Sequence, residues 1–141
     1  MSEECVFCKI AANLLPSYTI CEDDLFKVIL DVNPWSEGHS LIILKRHANN
    51  IYGLTNEECE KLFLLAAKTA RVLNDALKPD GLNVIQNNGA AAGQSVDHFH
   101  THLVPRYKND GVILSFSGKK PSDDEFDAVA EKIKIVFNKI S

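Results

Sequence analysis

The segment VDHFHTHLVPR, residues 96–106, is the most informative part of this chain, because three histidines alternate in it with residues that prefer strands. His98, His100 and His102 are three of the five histidines among 141 residues. Side chains alternate between the faces of a strand, so a strand here would project the three imidazoles to one side, about 6.7 Å apart. The outer pair would be about 13 Å apart, whereas metal–ligand bonds are about 2 Å long. The pattern therefore favours contact with successive groups of an extended anionic substrate over three-way coordination of one ion.

A loop rich in glycine and alanine, residues 87–96, leads into the histidine segment. Gly89 and Gly93 frame three alanines, which allows backbone N–H groups to approach a ligand closely. Gln94 and Ser95 add side-chain donors immediately before the histidines. The loop differs from a P-loop, because no Lys-Ser or Lys-Thr pair follows and a strand comes next. The alternative is an ordinary hairpin loop before a solvated strand face, but such faces favour Lys, Glu and Thr over three histidines.

Composition indicates one domain spanning residues 1–141, since 45% hydrophobic residues suffice for one packed core. The net charge of −4 gives no reason to expect binding to nucleic acid or to an anionic membrane. The N-terminal segment MSEECVFCKI carries acid where a signal peptide needs base, and no apolar run approaches membrane-spanning length. We therefore expect a cytoplasmic protein with four reduced cysteines.

Local patterns predict an α+β domain with a five-stranded antiparallel sheet and two main helices. Residues 1–17 contain only a short apolar stretch closed by a turn at 15–17. Capping-box signatures at Thr55-Asn56-Glu57-Glu58 and Ser122-Asp123-Asp124-Glu125 each open a run of apolar residues at helical spacing. The predicted strands are residues 18–21, 26–30, 39–45 and 82–87, together with the histidine segment.

The pair Cys5 and Cys8 is ambiguous between a zinc site, redox chemistry and chance. A thioredoxin-type pair should follow a strand, and nothing before Cys5 can form one. If strands 39–46 and 98–104 pair antiparallel, His47 lies near His98 and His39 lies toward His102. A structural zinc site of Cys5, Cys8, His47 and His98 is then possible, with free thiols in the core as the alternative. Two further cysteines lack ligand spacing and are expected in the core, Cys21 and Cys59.

The histidine segment resembles the signature of the histidine triad (HIT) family, His-φ-His-φ-His-φ-φ, in which φ is apolar. Thr101 departs from the second φ, although its methyl group can still pack. The resemblance extends over residues 5–107. The bacterial Hint-like branch is the most similar, because the chain is short and carries the N-terminal cysteine pair. The matching stretches are CVFCKI at 5–10, DVNP at 31–34, GHSL at 38–41, KRH at 45–47 and the loop 87–95.

The resemblance implies hydrolysis or transfer of AMP-like nucleoside monophosphates through a nucleotidyl-histidine intermediate, with no metal in the chemical step. By position His100 is the nucleophile, and its second nitrogen donates to the backbone carbonyl of His98. His102 would contact phosphate oxygens, while Ser95 and Gln94 would hold phosphate or the leaving-group atom. The resemblance also implies a homodimer with a continuous ten-stranded sheet.

The resemblance further implies a purine nucleotide site around the triad. Asp31 would take the ribose hydroxyls, and Asn87 and Gly93 belong to the nucleotide-binding loop. An apolar slot for the base would be formed by Phe7, Ile10, Ile29 and Val32. A core position is the alternative for each of these four apolar residues.

Three other functions stay open at this stage. Hydrolysis of diadenosine polyphosphates differs only in the leaving group, and the Ser95 hydroxyl weakly favours an amine instead. The domain could also be a nucleotide-binding or partner-binding module with incidental turnover, or a metal-dependent hydrolase whose ligands are the histidines.

Assembly is indicated by residues 62–65, Leu-Phe-Leu-Leu, which place apolar groups around more than half of a helix. A twofold dimer would cover such a helix and pair an open sheet edge. The alternative is that the C-terminal helix covers it within one chain, through Phe126, Val129 and Ile133.

Overall fold

The computed structural model describes residues 4–140, which form a five-stranded sheet with three helices. The strands confirm the predicted antiparallel α+β architecture. The elements are α1 (Val6–Ala11), β1 (Thr19–Glu22), β2 (Phe26–Leu30), β3 (Ser40–Leu44), α2 (Asn56–Leu77), β4 (Gly81–Ile85), β5 (His100–Arg106) and α3 (Asp123–Ile140).

The sheet order is β1-β2-β3-β5-β4, so the histidine strand β5 lies inside the sheet beside β3. All five residues of β3 are buried, as its apolar sequence predicts. β3 and β5 run antiparallel, with Ile43 opposite His100 and Leu41 opposite His102. In this register the end of β3 lies beside the start of β5, as expected. The histidine site lies at this end of the two strands.

Helix α2 covers one face of the sheet and supports β5 on the face opposite the pocket histidines. It begins at Thr55, whose hydroxyl accepts from the Glu58 backbone N–H while the Glu58 carboxylate accepts from the Thr55 N–H. This confirms the predicted capping box. Its buried face packs against Leu103, which lies on the face of β5 opposite His100 and His102, and against Phe99, which precedes β5.

One helix was not predicted, and two local predictions were wrong. Residues 6–11 form a helix because the Cys5 sulfur accepts from the Cys8 N–H and caps it; six residues are too few for a helix to be stable without such tertiary support. Cys21 and Cys59 are exposed, because they lie on the edge strand β1 and on the outer face of α2. The strand predicted at 82–87 ends at Ile85.

The outer surfaces of α2 and α3 stay apolar and exposed. Phe63 and Leu64 on α2 are 71% and 72% exposed. Helix α3 has no buried residue, and its apolar side chains Phe126, Val129 and Ile133 are each about half exposed. The alternative in which α3 covers α2 within one chain is therefore wrong. No helix within residues 4–140 combines the length and apolarity required to cross a membrane.

Thr101 is expected to reduce stability, because its Oγ1 is buried and has no hydrogen-bond partner among residues 4–140. Thr101→Val removes the unpaired hydroxyl and keeps the side-chain shape, so it should raise the free energy of unfolding by about 1–2 kcal/mol. Urea titration measures this change. Thr69→Val is the matched control and should not stabilise the protein, because the Thr69 hydroxyl donates to the Leu65 carbonyl at 2.8 Å. Equal effects of the two substitutions would contradict this explanation.

Candidate active site

A pocket of about 380 Å³ lies between α1, the end of β2 and the triad face of β5. One part of its wall is apolar and another is polar, as a nucleotide would require. The structure brings together most of the residues that the sequence singled out. The predicted residues that line it are Phe7, Ile10, Ile29, Asp31, Val32, Ser95, His100 and His102.

His100 is held so that one ring nitrogen can act as a nucleophile. Its Nδ1–H donates to the backbone carbonyl of His98 at 2.7 Å, so neutral His100 carries its lone pair on Nε2. Burial lowers the pKa of His100, and the hydrogen bond to the His98 carbonyl only partly opposes this shift. The edge-on ring of Phe7, 5.0 Å away between centroids, restricts the imidazole. A neutral imidazole with one free nitrogen is the form that attacks phosphorus.

His102 lies beside His100 on the same face of β5, with 5.0 Å between the ring centroids. The indole of Trp35 stacks on it at 4.9 Å and 16°. Burial, together with smaller contributions from the neighbouring His100 and His39, lowers the pKa of His102 to about 4. His102 is therefore neutral at pH 7 and offers a hydrogen bond to a ligand, not a positive charge.

Asp31 is fixed at the end of β2, at the side of the pocket. Its backbone N–H donates to the His39 carbonyl at 2.9 Å, and its Oδ1 accepts from the Asn33 N–H at 2.8 Å. Its Oδ2 lies 3.6 Å from His39 Nε2. The carboxylate is thereby oriented toward the polar part of the pocket, where hydroxyl groups of a ligand could donate to it.

Cys5, Cys8, His47 and His98 form a compact cluster beside the pocket, with their ligand atoms all within 4.8 Å of one another. The Cys5 sulfur lies 3.2 Å from His98 Nδ1, and the Cys8 sulfur lies 3.2 Å from His47 Nδ1. His47 Nδ1 and His98 Nδ1 lie 3.2 Å apart, which confirms the proximity of these two histidines predicted from strand pairing.

The chemistry of this donor set fits a zinc ion. His47 Nε2 faces the Asn49 Oδ1 at 3.0 Å, and His98 Nε2 faces the Leu44 carbonyl at 2.6 Å. Both acceptors require a proton on Nε2, so both Nδ1 atoms present lone pairs toward the two sulfurs. Metal-binding histidines adopt this arrangement, in which the second nitrogen donates to an oxygen.

The expectation that all three triad imidazoles would contact the substrate was wrong for His98. Residues 96–98 form a bend, and β5 begins only at His100, so strand alternation does not extend back to His98. The His98 ring belongs to the Cys–His cluster and is absent from the pocket wall. The pocket uses His98 through its backbone carbonyl, which orients His100.

Gln94 was expected to hold phosphate, but the structure uses it to brace the loop. Its Oε1 accepts from the Gly89 N–H, and its Nε2 donates to the carbonyls of Asn49 and Val96. These bonds occupy the amide that would contact a ligand. Neither Gly93 nor Asn87 lines the pocket. Glycine is favoured at position 93 because its φ of 89° lies in the left-handed region.

Two residues that the sequence did not assign take part in the site, Trp35 and His39. Trp35 lines the pocket and stacks on His102. His39 Nε2 lies 2.9 Å from His102 Nδ1. The signal for His39 was present, since antiparallel pairing places it toward His102. Nothing local in the sequence points to the stacking of Trp35.

Comparison with known proteins assigns the family. A family model described as HIT domain matches residues 13–109. Protein hit of Bacillus subtilis is 44% identical over 111 residues, which cover 78% of this chain and 77% of that protein. Adenosine 5′-monophosphoramidase hnt1 of Schizosaccharomyces pombe is 35% identical over 130 residues, which cover 92% and 95%. The chain belongs to the HIT family, as its histidine segment predicted.

Solved structures confirm the fold. A crystal structure of a HIT family member from Bacillus subtilis superposes with a TM-score of 0.85 at 36% identity, covering 94% of this chain and 96% of that one. A zinc-bound histidine triad family protein from Mycobacterium smegmatis gives a TM-score of 0.73 at 32% identity, covering 98% of each chain.

Proposed function

We propose that this protein is a nucleotide phosphoramidase that cleaves AMP-like substrates at the α-phosphate through a nucleotidyl-His100 intermediate. The observation that carries the proposal is the hydrogen bond from His100 Nδ1–H to the His98 carbonyl, which leaves a lone pair on Nε2 in a nucleotide-sized pocket. The Schizosaccharomyces pombe relative is named as an adenosine 5′-monophosphoramidase, which supports the same reaction class.

The proposed reaction has two displacements. His100 Nε2 attacks the α-phosphorus, and the bond from phosphorus to the amine nitrogen breaks as that nitrogen takes a proton from solvent water. A second water then attacks the nucleotidyl-histidine and gives up a proton to solvent, which releases the nucleoside monophosphate and returns His100 to its neutral state. His102 donates a hydrogen bond to a phosphate oxygen, which stabilises the charge that develops there. Ser95 is exposed and lines the pocket, and we assign it to the leaving-group nitrogen.

The same pocket explains nucleotide binding. Phe7 and Ile29 are largely buried, and with Ile10 they pack as an apolar surface that can take a purine face. Val32 is 71% exposed at the rim. The Asp31 carboxylate lines the same pocket, and we assign it to accept from the ribose hydroxyls. We therefore assign the base to the α1 side of the pocket and the phosphate to the β5 side.

A matched substrate panel tests the leaving group. We expect kcat/KM for an adenosine phosphoramidate to exceed that for diadenosine polyphosphates, because the pocket holds one nucleotide and Ser95 can bond to a bridging nitrogen. Rates on both substrates, measured by product chromatography, decide between these hydrolases. Preference for the dinucleotides would favour the alternative hydrolase, and binding without turnover of either would favour a binding module. Loss of turnover immediately on chelation, before any unfolding, would favour a metal-dependent hydrolase.

We propose that Cys5, Cys8, His47 and His98 hold a structural zinc ion. The fit of the two Nδ1 atoms and two sulfurs supports this assignment. Zinc bound there would tie α1, which forms one wall of the pocket, to the loop after β3 and to the bend before β5. The ion would supply no step of the reaction.

We propose further that two copies associate about a twofold axis into a ten-stranded sheet. The exposed apolar residues of α2 and the half-exposed Val84 on the edge strand β4 lie on the surfaces that such a dimer would cover. Light scattering at micromolar concentration should give twice the chain mass of 15.6 kDa. A charge on the proposed interface, Leu64→Glu, should shift the mass toward the monomer, whereas Lys61→Glu on the same helix should not. A monomer mass for the unsubstituted chain would contradict the dimer.

A further inference from the structure

A chain of hydrogen bonds runs from the backbone of Trp35 through His39 to His102. The Trp35 N–H donates to His39 Nδ1 at 3.0 Å. On the other side of the ring, His39 Nε2 lies 2.9 Å from His102 Nδ1. His39 is 1% exposed, so water does not compete for either of its nitrogens.

The direction of this chain is set by its first member, because a backbone N–H can only donate. His39 Nδ1 must accept from it, so neutral His39 carries its proton on Nε2. That proton must donate to His102 Nδ1, and neutral His102 then carries its own proton on Nε2. The backbone N–H of Trp35 thus determines the tautomer of His102, because His39 connects the two.

The two other arrangements open to this group conflict with the Trp35 N–H. Asp31, His39 and His102 could hold a metal ion by their geometry, but a neutral His39 bound to an ion through Nε2 would carry a proton on Nδ1. A protonated His39 paired with Asp31 would also carry a proton on Nδ1. In both cases two N–H groups would point at each other, although their nitrogens are only 3.0 Å apart. Burial lowers the pKa of His39 despite the opposing effect of Asp31, which agrees with a neutral ring.

We propose that His39 is a positioning residue that holds His102 as its Nε2–H tautomer, so that His102 presents a hydrogen-bond donor to the phosphate. This inference rests on the proposed function for its catalytic meaning. The two pocket histidines then have opposite tautomers. His100 keeps Nδ1–H and a lone pair on Nε2, because it is anchored to a carbonyl. His102 keeps Nε2–H, because it is anchored through His39 to an amide. The nucleophile and the donor are distinguished by these two backbone groups.

Nitrogen-15 NMR of histidine-labelled protein at pH 7 tests the tautomer directly. The His102 signals are assigned by their loss in His102→Gln. We expect the unsubstituted protein to show His102 protonated on Nε2 and unprotonated on Nδ1. A protonated Nδ1 would overturn the proposal, and this spectrum requires no variant of His39 to fold. The spectrum also does not depend on turnover, so failure of the proposed function would leave this result readable.

Two substitutions at His39 test whether this residue holds the His102 tautomer and thereby supports turnover. His39→Gln places an amide N–H₂ near the position of Nε2 and should preserve both the His102 tautomer and most of the turnover. His39→Leu fills the space without a donor, so the His102 signals should shift toward mixed tautomers. Its kcat on a phosphoramidate should fall by about 10- to 100-fold, the usual cost of removing a partner that orients an imidazole, with little change in KM. Equal activity of the two variants, or an unchanged His102 tautomer in His39→Leu, would overturn the proposal.

Discussion

His100→Ala should lower kcat on an adenosine phosphoramidate by about 10⁴-fold or more while AMP binds nearly as tightly as before. Loss of the nucleophile removes the covalent route, and the remaining pocket contributes only orientation and hydrogen bonding. Binding should persist because the apolar side of the pocket comes from α1 and β2, not from β5. Steady-state kinetics and calorimetric titration with AMP measure the two quantities separately. His102→Ala should also lose activity, though less completely.

Thr101→Val is the matched control for His100→Ala. Thr101 is the adjacent residue on β5 and is buried like His100, but it lies on the opposite face of the strand. Its substitution should leave kcat unchanged within about twofold. Turnover near the unsubstituted level in His100→Ala would contradict the mechanism, and loss of activity in both variants would show that disturbance of β5, not loss of a nucleophile, is being measured.

Removal of zinc should have the second largest effect, and this effect should be on thermal stability. Protein purified without chelator should contain about one zinc per chain, and its removal should lower the melting temperature by roughly 10 °C. Protein that stays folded without the ion should still turn over, because the hydrogen bond from His100 Nδ1–H to the His98 carbonyl involves no metal.

Cys8→Ser and Cys21→Ser separate zinc loss from general effects of cysteine substitution. Cys8 is buried in the cluster, whereas Cys21 is exposed on the edge strand. Cys8→Ser should reproduce the loss of metal and of thermal stability, and Cys21→Ser should change neither. Zinc content near zero in the unsubstituted protein would contradict the structural zinc site.

Strand pairing explains which parts of the site were predictable from the sequence. The run His39–Lys45 and the histidine segment are both strongly strand-like, and their antiparallel pairing predicts that His47 lies near His98 and that His39 lies toward the His102 end. The structure shows both contacts. The alternation argument holds for His100 and His102, which lie on β5, because both line the pocket.

The same argument failed where the backbone leaves regular structure. His98 lies in a bend, and no residue pattern shows that alternation stops two residues before His100. Gln94 was predicted to bind a ligand because its amide is a donor. In the structure, its amide oxygen and nitrogen both form hydrogen bonds with backbone groups of the protein. The six-residue helix α1 depends on the Cys5 cap and on packing against the sheet, which a local pattern cannot report.

The stereochemistry of phosphorus during turnover tests the central claim most directly. An adenosine phosphoramidate with sulfur in place of one α-oxygen is chiral at phosphorus, and hydrolysis in ¹⁸O-water gives a chiral adenosine phosphorothioate. Each in-line displacement inverts phosphorus, so attack by His100 followed by attack by water predicts net retention of configuration. Net inversion would mean that water attacks the substrate directly, and it would contradict the nucleotidyl-His100 intermediate.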